Sequence, residues 1–370
     1  MLNEMLEFVT TQQKLLFDRA HPLRLESGAA LGHVTVSYET YGELNADGTN
    51  VILICHALTA NAHASGYNSE EDKTPGWWDG LIGPGKAFDT DDYFVVCPNI
   101  LGSCYGTTGP TSINPTTGQP YRLSFPAITV RDIVTVQKRL LDELGVNRLA
   151  TVCGSSLGGM QALEWGIMFP DFCETTIPIS TAARQPSWCL ALNSAARTAI
   201  KNDPEWREGN YLAQPAKGLA LARMIGMISY RSPEEFEQRF GQQKVDPSGN
   251  VFVVDNVFQV ESYLQYQGQK LVTRFDANTY LCLTHAMDSH DISRGRGSVK
   301  KALGSIRARA LCVGISSDVR YPVAHQTRLA QDIPNGEYIE VSSIHGHDAF
   351  LIEFDQLNSI IANFLRKDNS

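Results

Sequence analysis

Residues 151–161 read TVCGSSLGGMQ, and Gly154-x-Ser156-x-Gly158 has the spacing of a serine nucleophile on a tight strand-to-helix turn. Such a turn presses its flanking positions together, so both must be small. Glycine fills both around Ser156, whereas Ser155 would be flanked by Cys153 and Leu157, which are too bulky. The amino end of the next helix would offer amides and a favourable dipole to a developing oxyanion. A serine hydroxyl is a weak nucleophile at its ordinary pKa, so a base and an orienting acid must follow, in the order Ser, Asp, His. ALCVGISSDVRYP supplies Asp318, and YIEVSSIHGHDAFL supplies His345 and His347, each in a loop just after a strand-like run. The pattern gives Ser156, Asp318 and His347 as a candidate triad for acyl transfer or ester hydrolysis, with the choice of histidine open. His345 and His347 could begin a metal site with His285 or His290. No third ligand stands at helical or hairpin spacing, so no metal is expected.

These residues need a rigid frame. Short apolar, β-branched runs recur (HVTVSYET, VILIC, YFVVCPN, LATVC, TTIPIS, ALCVG, YIEVS), several of them continuous, as in strands buried on both faces. Between them lie helical patterns such as ITVRDIVTVQKRLLDELG, where Ile133, Val136, Leu140 and Leu144 repeat at helical spacing before Gly145. A further helix is expected from about Asp348. Strands alternating with helices predict a mostly parallel α/β sheet, and the candidates fall at strand carboxyl ends, where such sheets build their sites. From 182 to 298 the rhythm breaks into helix-like segments. The expected division is a core of 1–181 and 299–370 with a helical insertion at 182–298.

The 370 residues are 43% hydrophobic, which suits a substantial core. A formal charge of -9 argues against a nucleic-acid binder or a polybasic membrane-surface protein. The amino-terminal segment carries acids among its apolar residues and lacks a signal-peptide pattern, no run is long enough to span a bilayer, and the eight scattered cysteines read as buried thiols. A cytoplasmic protein is expected.

The ordered motifs HALTANAH, GWWDGLIGPGKAFDTDDYFVVCPNILGSCYGTTGP, FPAITVRD, GSSLGGMQALEW, GLALAR, RFDANTYL, AMDSHD and GHDAFL resemble the homoserine O-acetyltransferases of methionine biosynthesis, from about residue 30 to the end. The resemblance implies an α/β-hydrolase fold with a helical lid after the sixth strand, and homodimers joined through the lids. It places the base on His347, the oxyanion amides on Leu58 and Leu157, and substrate contacts on Arg223 and Asp348, with Tyr230 on the same helix face as Arg223. It implies acetyl-CoA as acyl donor, L-homoserine as acceptor and no permanently bound cofactor. Succinyl transfer, a serine acceptor or a plain serine esterase remain as alternatives. An esterase has no need of GLALAR together with GHD. A succinyl donor would call for a cation facing its far carboxylate. The family commonly reads Gly-Gly-Ser-Met-Gly-Gly at the elbow, so Ser155 and Leu157 are departures that could alter the acyl pocket. The basic stretch SRGRGSVKK, with Arg294, Arg296, Lys300 and Lys301, is either a docking patch for CoA phosphates or a solvated linker.

Overall fold

The computed structural model describes residues 8–247, 252 and 258–366. Eight strands form one sheet: β1 (Gln12–Phe17), β2 (Val34–Tyr41), β3 (Val51–Cys55), β4 (Phe94–Pro98), β5 (Leu149–Ser155), β6 (Cys173–Ile179), β7 (Arg309–Ile315) and β8 (Gly336–Val341). Their spatial order is β1-β2-β4-β3-β5-β6-β7-β8. β2 is antiparallel to both β1 and β4, and the pairings from β4 to β8 are parallel.

The central strands are continuous apolar runs because both faces are covered. Along β3 every residue is fully buried, and the alternation of side chains sends Val51, Leu53 and Cys55 into one core and Ile52 and Ile54 into another. The first core is closed by α1 (Val130–Glu143) and α2 (Leu157–Met168), through Val134, Leu141 and Leu163. Ile133, Val136 and Leu140 of α1 are buried as their spacing requires, and a Thr129–Asp132 capping box starts that helix.

Between β6 and β7, residues 182–298 form five α-helices among the described residues: α3 (Ser187–Lys201), α4 (Ala216–Tyr230), α5 (Pro233–Arg239), α6 (Gln259–Val272) and α7 (Ala277–Asp288). Among the described residues this stretch adds no strand to the sheet. Then come α8 (Val299–Leu303), α9 (Val323–Asp332) and α10 (Phe354–Arg366). The helix expected from about Asp348 starts later. Gly346–Leu351 forms a 3-10 turn, and α10 begins only at Phe354. No described helix is long and apolar enough to cross a membrane.

The basic stretch is neither a free patch nor a solvated linker at its two arginines. Arg294 pairs with Glu26 at 2.8 Å and Arg296 with the buried Glu164 of α2 at 2.8 Å, while Arg131 of α1 bridges both acids. Arg294 and Arg296 thus fasten the return from the helical insertion onto the core.

Two deeply buried histidines give the fold a pH signature. Burial depresses His56 and His290 to about 4, whereas an unfolded histidine titrates near about 6.5. Between those values the unfolded chain binds protons that the folded chain refuses. The stability is therefore fully present above about pH 6.5 and is lost as pH falls toward about 4. His63 works in the opposite sense: despite its burial, Glu39 holds its pKa above the ordinary value. The Tm is expected to fall across this window, and calorimetry that found it level from pH 7 to 4.5 would contradict neutral burial of the two histidines.

Candidate active site

The parallel register brings the chemistry to one edge. Cys55 pairs with Gly154, and Ser155 with Ile179, so the residues that follow β3, β5 and β6 leave the sheet at its carboxyl side together. Ser156 is the single residue between β5 and α2, with φ 56° and ψ -119°. That conformation is strained for a residue with a side chain, by about 1–3 kcal/mol. The surroundings fix it: the Ser156 amide donates to Ile179 O at 3.0 Å, and the Thr181 hydroxyl donates to Ser156 O at 2.9 Å.

The elbow glycines have a steric reason. A Cβ on Gly158 would lie 1.9 Å from Cys55 O, and one on Gly154 would lie 2.5 Å from the Gly158 backbone. Gly158→Ala should therefore cost about 3 kcal/mol or more, and it should displace the Ser156 turn. Urea denaturation with an activity assay measures both, and a variant with unchanged midpoint would refute this packing account.

His347 and Asp318 meet although they come from different loops. His347 sits in the 3-10 turn, its side chain 3% exposed, and its Nδ1 lies 2.7 Å from Asp318 Oδ2. His345 instead points to Glu235, 3.5 Å away, so the geometry separates the two histidines. Asp318 Oδ1 accepts the amides of Arg320 at 2.7 Å and Tyr321 at 3.0 Å, and Oδ2 also accepts the Ser180 hydroxyl. Burial works against its charge, but His347, the Ser180 hydroxyl and the Tyr321 amide hold its carboxyl below the ordinary range. Ser180 itself has φ 50°. A serine just after a buried strand was the only signal for it in the sequence.

A cavity of about 440 Å³ lies between core and helical insertion. Its walls include Ser156, His347, Asp348 and Leu58 from the core and Arg223 and Tyr230 from α4. Arg223 and Tyr230 share one face of α4, the guanidinium 5.3 Å from the Tyr230 ring centre. Arg223 has no ion-pair partner among the described residues. Asp348 is partly buried, which raises its pKa against the pull of Arg231 and Arg223, and its Oδ2 lies 3.4 Å from Arg231 Nε.

The Leu58 and Leu157 amides donate to no other group among the described residues. The peptide that carries the Leu58 N–H is held from its other end. His56 Nδ1 lies 2.8 Å from Ala57 O, while His56 Nε2 accepts the Ile100 amide at 3.0 Å. These partners put the ring proton on Nδ1, and a planar peptide then fixes the Leu58 N–H direction. Gln161 donates to both His56 O and Leu157 O, at 3.2 and 3.1 Å, tying the two loops together.

The Ser155 and Leu157 side chains are fully buried and do not line the cavity. Among the lining residues that sequence reasoning missed is Arg320, only 3% exposed, which donates to Ser229 Oγ at 2.6 Å and stacks 5.0 Å from the Tyr230 ring centre. It has no carboxylate partner among the described residues. Its only sequence signal was its place two residues after Asp318.

Residues 50–354 match the model of the alpha/beta hydrolase fold family. The homoserine O-acetyltransferase of Moorella thermoacetica is 52% identical over 365 residues, covering 97% of this chain and 96% of its own. The Carboxydothermus hydrogenoformans homoserine O-acetyltransferase is 50% identical over 350 residues, covering 93% and 92%. Among solved structures, the homoserine O-acetyltransferase from Bacillus anthracis has a TM-score of 0.89 at 32% identity, over 97% of this chain and 98% of that one. Esterase E22 has a TM-score of 0.88 at 30% identity, over 96% and 100%. The backbone alone is thus shared by transferase and esterase, and the near-complete sequence matches at 50–52% identity make the distinction. On those matches the chain belongs to the homoserine O-acetyltransferase family, on the α/β-hydrolase fold.

Proposed function

We propose that this chain moves an acetyl group from acetyl-CoA to the hydroxyl of L-homoserine, giving O-acetyl-L-homoserine for methionine biosynthesis in the cytoplasm. The observation that carries this reading is one cavity lined by Ser156 and His347 together with Arg223 and Asp348. A hydrolase needs only the first pair; an amino-acid acceptor gives the second pair work. Arg223 holds the homoserine carboxylate and Asp348 its ammonium, with Tyr230 alongside.

In the first half-reaction His347, oriented by Asp318, takes the Ser156 proton as Oγ attacks the thioester carbonyl. The Leu58 and Leu157 amides hold the oxyanion. The carbon–sulfur bond breaks, and the thiolate leaves as CoA with the proton from His347. Homoserine then gives its hydroxyl proton to His347 and attacks the acyl-serine, whose ester bond breaks as Ser156 regains a proton. Residues 182–298 act as the lid that keeps water from the acyl-enzyme.

Two chains associate through this insertion. On α4, Leu221 and Ile228 are 46% and 56% exposed on the face opposite Arg223 and Tyr230, and Trp188 of α3 is 57% exposed. Sedimentation would show a dimer, and a monomer at micromolar concentration would refute this association.

Arg320 favours a second reading of the donor. A buried guanidinium without a counter-ion suits a carboxylate ligand, so a succinyl donor could place its far carboxylate there. Each pairing of acetyl- or succinyl-CoA with homoserine or serine should be assayed for thiol release and acylated product. Turnover only with succinyl-CoA selects the second reading, and thiol release at the same rate without acceptor makes the protein a hydrolase.

A further inference from the structure

The cavity is deeply buried at its catalytic end and carries two exposed cations at its outer end. Ser156 and His347 are 6% and 2% exposed. The exposed lining residues are Lys270 and Arg274 on one side and Asp72 and Thr74 on the other. Lys270 lies in the last turn of α6, and Arg274 lies just beyond that helix. Four residues apart, they belong to the same edge of the opening.

Neither cation has an ion-pair partner among the described residues, although the chain carries an excess of acids. Arg274 is nevertheless fixed in place. Its Nη1 donates to Thr59 O at 2.7 Å and to Tyr105 Oη at 2.9 Å, which bridges the insertion to the loop after β3. A guanidinium has five N–H donors, and its other edge is uncommitted among the described residues. The rim therefore holds one anchored guanidinium and one exposed ammonium, a pairing suited to phosphate oxygens. Asp72 is the opposing charge at the rim, and Asp348 deeper in the cavity is already faced by Arg231.

We propose that Lys270 and Arg274 form the docking site for the phosphate groups of the acyl-CoA donor, at the outer end of the cavity that holds Ser156. The proposal rests on the acyl-CoA reading above. It moves phosphate recognition from the SRGRGSVKK stretch, whose Arg294 and Arg296 are engaged by Glu26 and Glu164. The thioester end of the donor then reaches toward Ser156 while its anionic end stays at the rim.

Three donors separate phosphate recognition from lid placement: acetyl-CoA, acetyl-dephospho-CoA and S-acetylpantetheine, which carries no phosphate. Lys270→Met and Arg274→Gln keep most of each stem. Each should raise KM for acetyl-CoA about tenfold, the worth of one charge-assisted hydrogen bond, with the loss confined to phosphate-bearing donors. The acetyl-dephospho-CoA arm assigns the loss to the terminal phosphate or to the pyrophosphate. In the wild type KM for acetyl-CoA should rise with added NaCl, and this dependence should flatten in the double variant. Equal losses for all three donors would show that the two residues merely hold the lid, and unchanged KM values would overturn the proposal outright.

Calorimetric binding of CoA and of pantetheine separates the two levels of inference. Wild-type protein that binds CoA more tightly than the double variant, yet transfers no acetyl group, would retain the docking site and overturn the transferase reading. Wild-type protein that does not distinguish CoA from pantetheine would overturn the docking site.

Discussion

Ser156→Ala is expected to lower acyl transfer by about 10⁶-fold, as removal of the nucleophile does in a triad that works as a unit, while Ser155→Ala stays close to wild type. The contrast follows from two adjacent side chains with opposite surroundings. Ser156 opens on the cavity at the head of α2, whereas Ser155 is fully buried on β5 and its hydroxyl has no hydrogen-bond partner among the described residues. Removing an unpaired buried hydroxyl leaves nothing unsatisfied, so Ser155→Ala should be nearly neutral in stability. Ser156→Gly adds a test of the strained turn. Being equally inactive, it should exceed Ser156→Ala in stability by about 1 kcal/mol, because glycine adopts φ 56° without steric cost. Mass spectrometry of the acyl-enzyme after a short exposure to donor reads the chemistry directly. An acetylated Ser156→Ala protein would place the nucleophile elsewhere.

The second large effect belongs to the acid. Asp318→Asn should lower kcat by about 10⁴-fold with little change in fold. The carboxylate accepts the His347 Nδ1 proton at 2.7 Å and leaves Nε2 free to act as the base. An amide at the same place can turn its NH2 toward Nδ1, which forces the ring proton onto Nε2 and removes the base. The Arg320 and Tyr321 amides favour that orientation, since both donate to Oδ1 and require the oxygen of the amide there, while the Ser180 hydroxyl, which donates to Oδ2, must turn to accept from the NH2. Kinetics across pH should show the residual activity climbing with hydroxide. A variant that kept the wild-type rate near neutrality would remove Asp318 from the mechanism.

The candidate triad was visible in the sequence because its constraints are local. Gly154 and Gly158 mark a turn that tolerates no Cβ, and Asp318 and His347 follow strands whose apolar runs identify themselves. His345 and His347 were not separable by spacing, since that choice depends on Glu235 of α5, more than a hundred residues away. Arg320 was hidden for the same reason: a loop arginine declares its burial only when Ser229 and Tyr230 of α4 pack over it. Strand β1 escaped notice because QQKLLF buries little apart from Leu16 and has no clean alternation. The SRGRGSVKK stretch looked free because Glu26, Glu164 and Arg131, which engage it, are distant in sequence. The delayed start of α10 is a matter of a 3-10 turn that periodicity does not encode.

His56 has a role in the site without reaching it. Its imidazole lies outside the cavity wall, yet it grips the carbonyl end of the peptide whose amide end belongs to the cavity-lining Leu58. Position 58 can therefore change its side chain without surrendering the amide, whereas position 56 must both donate toward Ala57 O and accept from Ile100 N. Substitution tolerance at this loop should run opposite to proximity: the residue on the cavity wall is replaceable, and the one behind it is not.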